Sequence, residues 1–169
     1  MNKQIILLNG PSSSGKSTLA STLKMLIAER RNEQYGIVSI DDFMPEVLSN
    51  DEPIYEDDVF AISAKLCECA VRTRDASDGV IVDHVITSER IFRQLVAAFR
   101  PERVFAVHVD CPPTILNERE RKRGDRYVGS AEDSYRYLYP KDGYDLTVDT
   151  GAASAADCAG AICRRVFVK

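Results

Sequence analysis

The sequence predicts an α/β fold: a five-stranded, mainly parallel sheet with helices on both faces and an arginine-rich lid over one end. Three observations predict it. Apolar runs of strand length alternate with stretches of helical periodicity along the whole chain, the pattern that gives parallel sheets. A Gly/Ser-rich turn follows the first run directly and opens the first helix. The 169 residues suffice for one compact domain with a core and leave little length for a second, so residues 1–169 read as a single unit.

The first run is Ile5 to Leu8, and Leu19, Leu23, Leu26 and Ile27 follow at helical spacing. Between them Gly10, Gly15, Lys16 and Ser17 fit G-x-x-x-x-G-K-[ST], the phosphate-binding loop. Glycine lets the backbone bend so that consecutive N–H groups, here those of Ser12, Ser13, Ser14 and Gly15, face an anion. The helix N-terminus adds its positive end. Lys16 supplies a point charge for the β- and γ-phosphates, Ser17 a hydroxyl for Mg²⁺, and Thr18 a further phosphate contact. A ligand-free turn of the same composition is the bland alternative, but motif and context occur together. A nucleoside triphosphate with Mg²⁺ is therefore the expected ligand.

The second run, Ile37 to Ile40, leads into Asp41 and Asp42. Val59, Ile62, Leu66, Cys69 and Ala70 then form a helical stripe before the third run, Val80 to Val82, which ends at Asp83 and His84. Ile91, Phe92, Leu95, Val96 and Phe99 form the next stripe, and Val104 to Val109 the fourth run, followed by Asp110 and Cys111. Pro113 to about Arg123 reads as a helix started by proline. The fifth run, Leu146 to Val148, precedes Asp149 and Thr150, and Ser154 with Asp157 resembles a capping box before the last helix.

Ligands of parallel sheets collect at the carboxyl ends of the strands, so the acids there are the candidate chemistry. Phosphoryl transfer leaves the protein to align the acceptor oxygen and to neutralise charge on the moving group. Asp41 is the candidate to orient the acceptor hydroxyl and take its proton, against the alternative that Asp41 or Asp42 caps the next segment. Asp83 is placed to reach Mg²⁺, with a strand-end turn residue as the alternative. His84 and His108 read as packing histidines. The basic run 117–126 contains Arg119, Arg123 and Arg126, which either form a charged helix face or clamp phosphates from a lid over about 118–134, hinged at Gly124 and Gly129.

Bulk numbers exclude some roles. A formal charge of −4 gives no broad basic face for nucleic acid, and no segment is long enough to cross a bilayer. Five cysteines without metal spacing suit reduced, packing thiols in a cytoplasmic protein.

With these residues in view, the sequence resembles the chloramphenicol 3-O-phosphotransferase-like proteins, a family of small P-loop kinases. The likeness rests on VDC at 109–111, Arg119-Glu120, RGDR at 123–126, Gly129, Gly143, Tyr144-Asp145 and VDT at 148–150, beside GPSSSGKST and Asp41. It implies ATP-dependent phosphorylation of a small-molecule hydroxyl, Asp41 in the position of the base, and a lid carrying Arg119, Arg123 and Arg126. Tyr139 stands where the family has a histidine, and residues 43–61, which should shape the acceptor pocket, are shorter and differently composed, so the acceptor stays open. A nucleoside or nucleotide kinase of the same architecture is the second reading. A nucleotide-dependent switch is the third: its D-x-x-G occurs only at Asp157 to Gly160 in the last helix, and N-K-x-D is absent. Oligomeric state is not encoded legibly.

Overall fold

The computed structural model describes residues 3–48 and 53–168. Five strands, β1 (Gln4–Asn9), β2 (Tyr35–Ser39), β3 (Gly79–His84), β4 (Val104–Asp110) and β5 (Leu146–Asp149), form one sheet in the order β2-β3-β1-β4-β5. Every neighbouring pair is parallel, which sharpens the expected mainly parallel sheet to an all-parallel one. The helices are α1 (Lys16–Arg31), α2 (Pro45–Leu48), α3 (Glu56–Ala76), α4 (Glu89–Ala98), α5 (Pro113–Arg123), α6 (Ser130–Tyr137) and α7 (Ala155–Phe167).

The alternation of side chains along β1 explains the layers. Ile5 and Leu7 point into a core shared with Ile62 and Leu66 of α3 and Ile91, Leu95 and Phe99 at α4. Ile6 and Leu8 point the other way, onto Leu19, Leu23 and Ile27 of α1 and Ala159 and Ile162 of α7. A central strand buried on both faces must be continuously apolar, as IILL is. Burying each such side chain stabilises the fold by about 1.5–3 kcal/mol. A third, small cluster of Cys111, Leu116 and Ala131 packs α5 and α6 together above the sheet's carboxyl edge.

Local chemistry sets the boundaries. Ser88 and Ser154 cap α4 and α7 by accepting from the N–H groups of Ile91 and Asp157. Ile40, read above as the end of the second strand, instead begins a single 3₁₀ turn, Ile40–Asp42. The hydroxyl of Ser39 accepts from the Asp41 N–H and turns the chain there, so Ser39, and not either aspartate, is the cap. In the α3 stripe Cys69 is only partly buried, and Cys67 takes the deeper position. Among the described residues no helix is long and apolar enough to cross a membrane, and all five cysteines are free.

Candidate active site

The carboxyl ends of β1, β2 and β3 and the turns beyond them enclose, with α5 and α6, a cleft of about 1480 Å³. Its floor is the loop between β1 and α1. Gly10 lies so close to β4 that a Cβ there would meet the Val109 carbonyl at 2.3 Å, so the loop can leave β1 only with glycine at this position. Gly15 (φ 85°) is left-handed at the head of α1. Ser13 shares that conformation (φ 66°) without being glycine, an unfavourable arrangement of the kind proteins retain at functional sites. The Ser12 N–H donates to Ser134 Oγ of α6 at 2.9 Å, and the Thr150 hydroxyl donates to the Ser14 carbonyl at 2.5 Å. The loop is thus held from both sides by residues far off in sequence.

Lys16 is buried, and its Nζ donates to the Pro11 carbonyl at 2.8 Å and to Ser14 Oγ at 3.3 Å. Burial holds its pKa below the usual lysine value, while the carboxylates of Asp83 and Asp41 oppose that shift. Ser17 and Thr18 are exposed to the cleft. Ser17 Oγ donates to Asp83 Oδ2 at 3.1 Å. Asp83 is 3% exposed, and burial raises its pKa against the pull of Lys16. It lies inside β3 beside Leu8 and Ser39, which sets aside the reading as a turn residue.

The Ser17 hydroxyl and the Asp83 carboxylate are hard oxygen donors side by side, and they fit Mg²⁺. That ion typically takes one or two carboxylates and fills its remaining positions with phosphate oxygens and water. Among the described residues no group of three His, Cys, Asp or Glu could hold a metal.

Across the cleft stands Asp41, carried by the 3₁₀ turn after β2. Its Oδ1 accepts from Arg126 Nη2 at 2.6 Å, with the two side chains 39% and 21% exposed. Arg126 and Asp41, far apart in sequence, thus come together as an ion pair. Arg119 lies over the loop's far end, donating to the Thr150 carbonyl at 2.8 Å and to Thr150 Oγ1 at 3.3 Å. Arg123 lines the cleft but pairs with Asp125, at 3.1 Å, on the exposed surface; the structure does not bring it onto the loop. The basic run is therefore divided: Arg119 and Arg126 face the site, while Lys122 pairs with Glu118 one turn away.

Several functional side chains escape the motif. Glu120 is a buried carboxylate accepting from the N–H groups of Ala131 at 2.7 Å and Gly129 at 3.1 Å, so it fastens α6 to α5. The Glu120 position following the first lid arginine was the only sequence signal. Asn9 is buried between the Tyr139 carbonyl and the Tyr144 hydroxyl, each 2.8 Å from its Nδ2, and accepts from the Ile86 N–H. Tyr139 itself packs edge-on against Phe92, outside the cleft lining. Both histidines are structural. His84 is buried 3.2 Å from Ser63 Oγ, with burial depressing its pKa to about 4, and His108 stacks on Tyr144.

The other wall is different in character. Ile40, Met44, Ile54, Tyr55, Val59 and Ile91 face the cleft beyond Asp41, with Glu56 beside them. This wall is mostly apolar and lies in the same cleft as the Asp41 carboxylate.

Comparison with known proteins agrees with this geometry. The model of the family described as chloramphenicol phosphotransferase-like protein matches residues 3–167. Relatives from two strains of Mycobacterium tuberculosis, provisionally named as an O-phosphotransferase, are 28% identical over 180 residues, covering 92% of this chain and 79% of theirs. Among solved structures, the APS kinase of Mycobacterium tuberculosis in complex with AMPPNP and APS superposes with a TM-score of 0.76 at 18% identity, covering 99% of this chain and 100% of that one. A gluconokinase from Sinorhizobium meliloti gives 0.68 at 19% identity, with 98% and 96% covered. These two likenesses concern the fold.

Proposed function

The chain belongs to the chloramphenicol phosphotransferase-like family, and from that premise we propose that this phosphotransferase moves the γ-phosphoryl group of ATP onto the hydroxyl of a small, uncharged alcohol. One observation carries the reading: the Asp41 carboxylate faces the phosphate loop across the cleft and opens onto an apolar chamber.

The loop amides and Lys16 hold the polyphosphate, and Arg119 lies beside it at Thr150, where the turn before α7 offers backbone to a base. Ser17 and Asp83 would hold Mg²⁺, which would offset charge on the phosphate oxygens. Asp41 accepts a hydrogen bond from the acceptor hydroxyl. As the acceptor oxygen bonds to the γ-phosphorus, the bond from that phosphorus to the oxygen of ADP breaks, and the hydroxyl proton passes to Asp41. Arg126 sits within reach of Asp41 and, with Arg123, is the lid's contribution to the charge on the moving group. Among the described residues, the acceptor half of the chamber has Glu56 beside its apolar side chains, and the arginines nearest it are Arg123 and Arg126. Those arginines are already paired, with Asp125 and Asp41, so an anionic acceptor such as a nucleotide would have to compete for them, which favours a neutral alcohol over the nucleotide-kinase reading.

The test is label transfer from γ-labelled ATP to a panel of neutral alcohols, nucleosides, nucleotides and sugar acids. Transfer to a neutral alcohol is expected, and Asp41→Asn should slow it about 10²- to 10⁴-fold with ATP-analogue binding nearly unchanged. Unchanged turnover in that variant, or transfer confined to nucleotides, would overturn the proposal.

A further inference from the structure

The two carboxylates of the site are joined by a side chain that belongs to neither motif. Ser39 is the last residue of β2 and lies in register with Asp83 of β3. In adjacent parallel strands, register partners present their side chains to the same face, so the Ser39 hydroxyl falls beside the Asp83 carboxylate. Its Oγ donates to Asp83 Oδ2 at 3.3 Å and accepts from the Asp41 N–H, also at 3.3 Å. A hydroxyl has one proton and two lone pairs, and these two bonds use the proton and one of the pairs.

Asp83 Oδ2 thus has two donors, Ser39 from β2 and Ser17 from the phosphate loop. Two donors on one oxygen fix the plane of the carboxylate and turn the other oxygen, Oδ1, away from them. On its second side the same Ser39 hydroxyl caps the 3₁₀ turn that carries Asp41 to the cleft.

We propose that Ser39 is a positioning residue that sets both half-sites at once, aligning the carboxylate offered to the metal and the turn that presents the acceptor-side carboxylate. The proposal rests on the kinase reading above. It adds that the two sides of the reaction are coupled through a single strand-end hydroxyl, so that a change there disturbs metal use and acceptor chemistry together. Neither bond touches substrate, so the effect is transmitted through Asp83 and Asp41.

The test uses the whole chain and a non-hydrolysable ATP analogue, titrated calorimetrically at graded Mg²⁺ concentrations. Ser39→Ala and the near-isosteric Ser39→Cys should raise the Mg²⁺ concentration for half-maximal binding about tenfold, the usual effect of removing a partner that orients a metal ligand. Analogue affinity without metal should not change. Ser39→Thr, which keeps the hydroxyl and suits a strand, should restore the wild-type value. With a confirmed acceptor, the same two variants should lose kcat while acceptor KM stays level. A folded Ser39→Ala protein with unaltered Mg²⁺ dependence, or a Thr variant as impaired as the Ala one, would refute the assignment. A wild-type protein that binds no analogue at any Mg²⁺ concentration would instead remove the kinase reading itself, a result distinct from a Ser39 failure.

Discussion

At the scale of single residues, burial sets the charge of the ionisable groups beneath the cleft. His84 is sealed under β3 next to Asp83 and kept neutral, its pKa pushed down to about 4 by desolvation. Its unfolded form takes up a proton near pH 6.5, so this histidine leaves stability intact above that value and removes it as pH falls from about 6.5 to about 4, by roughly 3 kcal/mol in all. Urea midpoints measured between pH 7 and pH 4 should therefore decline more steeply in the wild type than in His84→Gln, which does not titrate. The opposite ordering would show that the buried imidazole is not held neutral. Residues whose role depends on a short motif or a strand end were legible in the sequence: Lys16, Ser17, Asp41 and Asp83 all lie where the pattern puts them. Ser39 was not. A serine at the end of a strand says nothing by itself, and its meaning comes from the register that sets it against Asp83, forty-four positions on. Arg123 is less legible for a related reason: sequence proximity to Arg126 says nothing of the Asp125 carboxylate with which it pairs at the cleft's margin.

At the scale of elements, the informative case is the α5–α6 pair. The sequence places a lid over about 118–134, yet both flanks of that stretch are fastened. Arg119 is bonded to Thr150, Glu120 to the start of α6, and Ser134 to the phosphate loop. What lies between Gly124 (φ 69°) and Gly129 (φ 97°) is held to the opposite wall through Arg126. Hinge motion is therefore expected in residues 124–129 alone. Replacing Glu120 by alanine leaves one buried and one part-buried N–H group without their charged acceptor, a local cost of about 1.5–3 kcal/mol. Hydrogen exchange at Gly129 and Ala131 should then quicken by roughly 10- to 100-fold, while amides of β1 keep their protection. Equal acceleration throughout the sheet would mean that Glu120 supports the whole fold and not the lid. Gly124→Ala and Gly129→Ala meet no neighbour but do meet a left-handed backbone, so each should cost about 1 kcal/mol and slow turnover through the hinge. The elements themselves were readable because their periodicity switches cleanly from two to 3.6; the fastening of the lid depends on a carboxylate that looks, in sequence, like one more charge in a charged run.

At the scale of the molecule, the cleft is assembled from the ends of three strands and the helices above them, so a nucleotide filling it should stabilise the whole. At an analogue concentration one hundred times its Kd, linkage adds about 2.7 kcal/mol. For a chain of this size that is a rise in Tm of roughly 5–11 °C. The rise should shrink markedly in Lys16→Ala, whose loop has lost its buried charge, and a wild-type Tm indifferent to magnesium and nucleotide would contradict the site assignment. The sheet's order has a further consequence. The wall proposed to meet the alcohol hangs from β2 at the sheet's edge and from α3, whereas the groups proposed to hold ATP follow β1, β4 and β5. A graft of residues 43–61 from another member of the family should accordingly retune which alcohol is accepted while nucleotide affinity stays within about twofold, since additivity holds between separated sites. On the proposed assignment, the edge strand would be an interchangeable fitting on a fixed engine, and new specificities would arise there without rebuilding the machinery proposed to handle ATP.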